Sequence, residues 1–126
     1  MLLYELPSID YLNSLEIQRA IVERKISKGG PDVLMLLEYP PTVTLGVRAK
    51  ESHLLVSMAE FAERGIAVHH VDRGGEATYH GPGQLICYPI MDLKSLGLSA
   101  RNYVDALEQT IILTLTSLKV RETSSP

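Results

Sequence analysis

The first part of the chain pairs a short apolar run with one long helical pattern. Residues 2–6 are mostly apolar and are closed by Pro7, which predicts an opening strand. Ser8 follows as the expected N-cap of a helix. The apolar positions that predict this helix recur at helical spacing: Leu12, Leu15, Val22 and Ile26. Residues 29–31, Gly-Gly-Pro, are expected to end it, because glycine readily adopts the C-cap conformation and proline cannot continue a helix.

The middle of the chain predicts short strands separated by breaks. Residues 33–38 are a continuous apolar run of strand length, which indicates a strand buried on both faces. Residues 40–41, both proline, interrupt it, and residues 42–45 resume a β-rich pattern. The segment 57–60, Ser-Met-Ala-Glu, is a capping box that predicts the start of a short helix ending at Gly65.

Strand and helix signals continue in the second half. Residues 66–71 predict a strand that leads into a polar loop, and residues 84–91 predict the returning strand, with Pro89 favouring an edge or bulge position. Ser99 is the predicted cap of a last helix. Its apolar residues share one face: Val104, Leu107, Ile111 and Leu118. Strands that neighbour each other like hairpins, mixed with helices, predict an α+β fold with a mixed sheet flanked by helices.

Composition narrows the class of protein. A chain of 126 residues, 45% hydrophobic and 21% charged with a net charge of −3, is typical of one soluble globular domain spanning residues 1–126. Lysine and arginine are scattered, so nucleic-acid binding is not predicted. The longest apolar run, residues 33–37, is too short to span a membrane, and no secretory signal is predicted. A single cysteine agrees with a reducing compartment, so we expect a cytoplasmic protein.

The loop at residues 73–84, Arg-Gly-Gly-Glu-Ala-Thr-Tyr-His-Gly-Pro-Gly-Gln, concentrates the candidate chemistry. Its four glycines permit close approach of a ligand to the backbone, and a plain connecting turn would not need so many polar side chains. Arg73 is expected either to bind a carbonyl or carboxylate, or to fix the loop through carbonyl contacts. His80 is equally compatible with general acid–base chemistry and with a hydrogen-bonded role in shaping the pocket.

Two other groups of residues suggest chemistry less strongly. His69, His70 and Asp72, with His53 as a distant fourth ligand, resemble a metal site. Adjacent residues on a strand face opposite sides, so no metal site is predicted. Cys87 is the lone thiol, and in an apolar strand we expect it to be a small core residue rather than a nucleophile.

The loop at residues 73–84 resembles the signature of the octanoyltransferases of lipoate synthesis, the lipoate-protein ligase B family. Three further segments are similar to that family in the same order: residues 45–49, 87–93 and 103–108. The resemblance implies the catalytic fold shared by biotin and lipoate ligases, with residues 1–126 as its N-terminal portion, truncated at the C-terminus.

The resemblance also implies an activity. Such enzymes transfer an octanoyl (or lipoyl) group from acyl carrier protein to a lysine of a lipoyl domain, through an acyl-cysteine intermediate. The partners implied are octanoyl-acyl carrier protein and the lipoyl domains of 2-oxoacid dehydrogenases and of the glycine cleavage H protein. No cofactor, metal, nucleic acid or membrane is implied.

The residues implied to bind the acyl substrate run through the motif: Arg73, Gly74, Gly75, Glu76, Ala77, Thr78, Tyr79 and His80. The family's nucleophilic cysteine, in a Pro-Cys-Gly context, and its activating lysine match no residue of this sequence, so the catalytic residues stay unassigned and this chain is not expected to turn over. Two alternatives remain open at this point: an ATP-dependent lipoate or biotin-type ligase, and a non-catalytic acyl-binding half-domain.

Overall fold

A computed structural model describes residues 1–50 and 54–120. Its elements, in chain order, are β1 (Leu2–Leu6), α1 (Tyr11–Lys28), β2 (Val33–Leu37), β3 (Thr42–Leu45), α2 (Met58–Glu63), β4 (Ala67–His70), β5 (Ala77–His80), β6 (Ile86–Ile90) and α3 (Ala100–Ser117). The chain divides into two compact units, Met1–Ile90 and Met91–Pro126. None of the helices in the described ranges is long and apolar enough to cross a membrane.

The strands of the first unit form two three-stranded sheets, which confirms the predicted α+β class with mixed pairing. In the β2 sheet, β2 runs parallel to β1 and antiparallel to β6. In the β3 sheet, β3 runs parallel to β4 and antiparallel to β5. The strands therefore make two sheets rather than one, and the break falls at residues 40–41, where two prolines supply no amide donor for a ladder.

The apolar core lies against one face of β2. Val33, Met35 and Leu37 are buried, and Tyr39 extends the same alternation beyond the strand. The intervening residues of β2 are only partly buried, so the predicted burial on both faces holds for one face alone. Partly buried residues that complete the cluster are Leu6, Ile9, Tyr11, Ile21, Ile86, Tyr88 and Ile90.

Helix α1 begins later than the sequence predicted. Its N-cap is Asp10 rather than Ser8, because the Asp10 carboxylate accepts a hydrogen bond from the amide of Asn13 at 3.0 Å. Ile9, just before the cap, donates its amide to the Glu38 carbonyl and packs on the core, which keeps the preceding residues extended. The helix ends as predicted at Gly29, whose φ is 68°.

The face of α1 that meets the core also differs from the prediction. Tyr11 and Ile21 pack there, and Ser14 is fully buried with its hydroxyl bonded to that of Tyr39. Three residues of the predicted stripe are largely exposed instead: Leu12 at 52%, Val22 at 40% and Ile26 at 81%. A buried tyrosine hydroxyl needs a partner, and this requirement places a small polar residue on the inner face of the helix.

Several local predictions are confirmed. Ser57 and Glu60 form the capping box of α2, and Gly65 follows with a φ of 66°. Ser99 caps α3 by accepting from the Asn102 amide. Strand β6 lies at the edge of the β2 sheet, as Pro89 indicated. Strands β4 and β6 are shorter than predicted, and β5 lies inside the segment that the sequence predicts to be a loop.

Candidate functional site

The beginning of the motif is fixed by the backbone that follows β3. The amides of residues 46–48 donate, in order, to the carbonyls of Glu76, Arg73 and Gly75 at 2.8, 3.1 and 3.1 Å. A Cβ on residue 46 would lie 2.6 Å from the carbonyl oxygen of Gly75, which no side chain tolerates. Glycine at position 46 therefore allows the loop to lie directly on the end of β3.

The guanidinium of Arg73 is directed into the protein. Its Nη2 donates to the hydroxyl of Thr78 at 2.7 Å, and to the hydroxyl and carbonyl of Thr44 at 2.8 and 3.0 Å. Its Nη1 donates to the carbonyl of Gly74 at 2.9 Å. Of the two roles open to Arg73, the geometry favours fixing the loop, and binding of a ligand by this residue stays a prediction.

Both ring nitrogens of His80 are contacted by side chains of the protein. Its Nδ1 lies 2.9 Å from Oε1 of Gln84, and its Nε2 lies 3.5 Å from the hydroxyl of Thr44. Its ring meets that of Tyr39 edge-on, with centroids 5.7 Å apart. The ring of the half-buried His80 is therefore oriented by three side chains from different segments of the chain.

Behind His80, Tyr39 connects the two sheets. Its hydroxyl is bonded to that of Ser14 and lies 3.0 Å from that of Tyr88 on β6. Burial, together with the hydrogen bond to Tyr39, raises the pKa of Tyr88 far above its ordinary value, so this phenol stays protonated. The hydroxyls of Ser14, Tyr39 and Tyr88 therefore form a hydrogen-bonded hydroxyl chain behind the site.

Strand β5 divides the predicted site residues between two faces. Thr78 and His80 are half-buried and turn toward Thr44, whereas Ala77 and Tyr79 are exposed. Arg73 joins the first group through its contacts. The remaining members of the motif lie in the turn before β5: Gly74, Gly75 and Glu76. Gly75 has a φ of 91°, which lies in the left-handed region that favours glycine.

Sequence reasoning missed Thr44, although this residue contacts both Arg73 and His80. Thr42 and Thr44 are each 1% exposed, and both hydroxyls are bonded, that of Thr42 to the carbonyl of Pro40 at 2.7 Å. The available signal was two threonines spaced two apart in a short apolar strand, which places both hydroxyls on one face.

Two cavities among the described residues lie away from the motif's first eight residues. One of about 420 Å³ lies where β1 and β2 end, lined by Glu5, Leu6, Pro7, Leu36, Leu37, Glu38 and Leu85. Another of about 270 Å³ lies beside α1, lined by Tyr11, Leu12, Leu15, Arg19, His70, Val71 and Asp72. An acyl pocket formed by residues 73–80 accordingly stays a prediction.

Cys87 is exposed, so the expectation that it is a core residue was wrong. Alternation on the edge strand β6 turns its neighbours Ile86 and Tyr88 toward the core cluster and Cys87 away from it. Partial desolvation by neighbouring atoms nevertheless raises the pKa of the Cys87 thiol, which disfavours the reactive thiolate.

The histidine pair on β4 separates as the strand geometry predicted. His69 stacks on Tyr11 with ring centroids 5.3 Å apart, whereas His70 is exposed. His53 lies outside the described residues. The candidate site consists of β3, β5 and the turn between Arg73 and Ala77, and the histidine pair of β4 is not part of it.

The sequence is similar to that of a known protein family. Residues 10–126 match the family described as Lipoyl protein ligase A/B catalytic domain. The chain belongs to this family. Within it, the chain is 46% identical over 112 residues to an octanoyltransferase of Chloroflexus aggregans, covering 89% of this chain and 51% of that protein. It is 42% identical over 109 residues to the mitochondrial octanoyltransferase LIP2 of Arabidopsis thaliana, covering 86% and 46%.

These similarities confirm the resemblance that the motif suggested. The chain spans about half the length of the curated relatives it matches. Among solved structures, a lipoate-protein ligase A bound with ATP aligns with all of this chain and 53% of its own, with a TM-score of 0.59 and 16% identity. At that identity the likeness supports the fold alone, and it confirms the expected lipoate ligase architecture.

Proposed function

We propose that this chain carries the acyl-binding part of an octanoyltransferase acting in protein lipoylation. The proposed reaction moves an octanoyl (or lipoyl) group from acyl carrier protein to a lysine of a lipoyl domain. The observation that carries the proposal is the 46% identity to an octanoyltransferase over 112 residues, a stretch that covers 89% of the chain. The motif within it is held on β3 by backbone and side-chain hydrogen bonds.

The proposed acyl site is residues 73–80. The backbone of residues 73–76 is immobilised by the three amides of residues 46–48, so it forms a preorganised surface rather than a flexible turn. Gly74 has open space where a side chain would lie, and Gly75 requires its left-handed conformation. An acyl thioester can therefore approach the main chain here without displacing a side chain.

The proposed chemistry passes through an acyl-cysteine. A thiolate attacks the thioester carbonyl, the carrier's thiol departs, and a lysine amine then attacks the new thioester to give an amide and free the cysteine. Cys87 is the only cysteine of the sequence, and its raised pKa makes it a poor thiolate. It also lacks the Pro-Cys-Gly context found in the family that this chain resembles, so we do not assign it the nucleophile's role.

The proposed partners follow from the same activity. They are octanoyl-acyl carrier protein as donor, and the lipoyl domains of 2-oxoacid dehydrogenases and of the glycine cleavage H protein as acceptors. A cytoplasmic location completes the proposal. The Arabidopsis relative is named as a mitochondrial protein, and that name describes that relative alone.

Binding and mass spectrometry test the proposal together. The purified chain is titrated with octanoyl-carrier protein, with unacylated carrier protein as the control, and intact masses are recorded after mixing. We expect saturable binding that depends on the octanoyl group, with no added octanoyl mass. A folded chain that does not distinguish the two carriers contradicts the acyl site.

Two further outcomes separate the alternatives. An octanoyl adduct on the chain that is lost in Cys87→Ser would make Cys87 the nucleophile after all. Formation of octanoyl-adenylate from octanoate and ATP would support the ATP-dependent ligase instead. Binding with neither outcome leaves the acyl-binding role as proposed.

A further inference from the structure

Thr44 lies at the centre of the site although it is outside the motif. It belongs to β3, the central strand of its sheet, and is 1% exposed. Its hydroxyl receives a hydrogen bond from Nη2 of Arg73 at 2.8 Å and lies 3.5 Å from Nε2 of His80. One buried hydroxyl thus contacts the two ionisable residues that begin and end the predicted substrate-binding segment.

The hydrogen-bonding capacity of the neighbours fixes where the protons lie. Oε1 of Gln84 is a carbonyl oxygen and can only accept, so the 2.9 Å contact requires a hydrogen on Nδ1 of His80. In a neutral imidazole the other nitrogen, Nε2, is then an acceptor. The partner that faces Nε2 must supply the donor.

Thr44 has one donor to give. The guanidinium of Arg73 has no acceptor, so its bond to Thr44 occupies a lone pair of the hydroxyl oxygen and leaves the hydroxyl proton available. Directed at Nε2 of His80, this proton completes a chain that runs from Arg73 through Thr44 and His80 to Gln84.

We propose that Thr44 is a positioning residue that holds His80 as the neutral Nδ1–H tautomer, with both ring nitrogens occupied by side chains of the protein. His80 then lines the site in one fixed orientation, and its Nε2 lone pair faces Thr44 rather than a substrate. This resolves the even choice that the sequence left between a general base and a pocket-shaping histidine. Its meaning for acyl binding rests on the proposed function, whereas the tautomer itself does not.

The chain offers a matched control. Thr78 lies opposite Thr44 in the β3–β5 pairing, and its hydroxyl accepts from the same Nη2 of Arg73 at 2.7 Å. Its contact is to Arg73, whereas the hydroxyl that faces His80 is that of Thr44. Removing the Thr78 hydroxyl therefore disturbs Arg73 to a similar degree without taking the donor from His80.

The test reads the tautomer of His80 directly. The whole chain, labelled with ¹⁵N-histidine, is studied by long-range ¹H–¹⁵N correlation at about pH 8.5, where an ordinary histidine is neutral. We expect His80 to carry its hydrogen on Nδ1 in the wild-type chain. In Thr44→Val the ratio of the two tautomers should fall by about fivefold, the effect of one hydrogen bond. Thr44→Ser and Thr78→Val should keep the wild-type ratio.

Each contrary result is decisive. A wild-type His80 that carries its hydrogen on Nε2 overturns the inference whether or not any variant folds. Equal changes in Thr44→Val and Thr78→Val show that Thr44 acts only on the loop, which also overturns it. If Thr44→Val does not fold, Thr44→Ala takes its place as the variant without the hydroxyl, and the wild-type spectrum can still overturn the inference. Octanoyl-carrier binding is measured separately, so a correct tautomer without binding contradicts the proposed function and leaves the inference standing.

Discussion

The central strands of the two sheets, β2 and β3, pair with their neighbours in the same way but bury different kinds of side chain. Both β2 and β3 run parallel to one neighbour and antiparallel to the other. Strand β2 buries three apolar side chains on one face, whereas every residue of β3 is buried and two of its four are threonines. A hydroxyl without a partner is expensive to bury, so a strand that buries two threonines depends on their hydrogen bonds. The β2 sheet is an apolar scaffold, and the β3 sheet is the part that orients the motif.

Tyr39 connects the apolar scaffold of the β2 sheet with the site on the β3 sheet. Tyr39 is 1% exposed, and its ring packs in the apolar cluster of the β2 sheet. The same ring meets that of His80 in the β3 sheet. The orientation of His80 therefore depends on the apolar scaffold as well as on Thr44.

The largest expected effect tests the scaffold. Met35 is fully buried, so Met35→Ala should lower the free energy of unfolding by about 3 to 4 kcal/mol through lost transfer energy and a residual cavity. Leu34→Ala, a half-buried position on the opposite face of β2, is the control and should lower it by about half as much. Urea unfolding measures both. Equal losses would mean that β2 is buried on both faces, as the sequence first indicated.

The next effect tests the contact between β3 and the motif. Gly46→Ala places a Cβ 2.6 Å from the Gly75 carbonyl and disturbs the hydrogen bonds of residues 46–48. We expect a loss of about 2 to 3 kcal/mol in unfolding free energy and faster amide exchange at residues 46–48.

The control for this substitution lies in the same loop. A Cβ on Gly74 meets nothing within 4 Å, so Gly74→Ala should change stability by less than about 1 kcal/mol. If the two substitutions have the same effect, the loop does not lie on the end of β3 as described.

Substitution of the connecting tyrosine should have a smaller effect. Tyr39→Phe removes the hydroxyl that meets those of Ser14 and Tyr88, and leaves both with one partner fewer in a buried setting. We expect a loss of about 1 to 2 kcal/mol, measured by thermal or urea unfolding. Tyr79→Phe, on the exposed face of β5 at 56% exposure, should remain within about 0.5 kcal/mol of the wild type. A neutral Tyr39→Phe would mean that the hydroxyl chain does not support the site.

The parts of the fold that could be predicted from the sequence are those set by short-range interactions. Local signals that depend on a few neighbouring residues, such as the Ser57 capping box, the end of α1 at Gly29 and the edge position of Pro89, were predicted correctly. The inner face of α1 was not, because apolar periodicity counts Val22 and overlooks Ser14, whose burial depends on a tyrosine 25 residues away. A pattern within one element carries no information about such a distant partner.

For the site, the motif was predictable and its support was not. Residues 73–80 could be singled out from their glycines and polar groups, yet β5 within them becomes a strand only because β3 supplies its ladder. Thr44 gave almost no local signal, since a threonine in a β-rich run is usual. Its role appears only when Arg73 and His80, 29 and 36 residues away, are brought to its hydroxyl.

The smallest expected effect concerns the outward face of the scaffold. Cys87 lies on β6, exposed but partly desolvated, so the pKa of its thiol is raised above the ordinary value. A raised pKa means less thiolate at a given pH, and the alkylation rate by iodoacetamide should reach half its maximum at a higher pH in the folded chain than in the same chain in urea. The sequence has one cysteine, so the mass increase of a single label reports this site alone. Because only the thiolate reacts, the difference between folded and unfolded rates should be greatest at pH values between the unfolded and the folded pKa and should disappear well above the folded pKa. A folded chain that is alkylated faster than the unfolded one would show an activated thiol. That result would make Cys87 on the β2 sheet the candidate nucleophile. The β2 sheet would then contribute chemistry to the site and could no longer be described as an apolar scaffold alone.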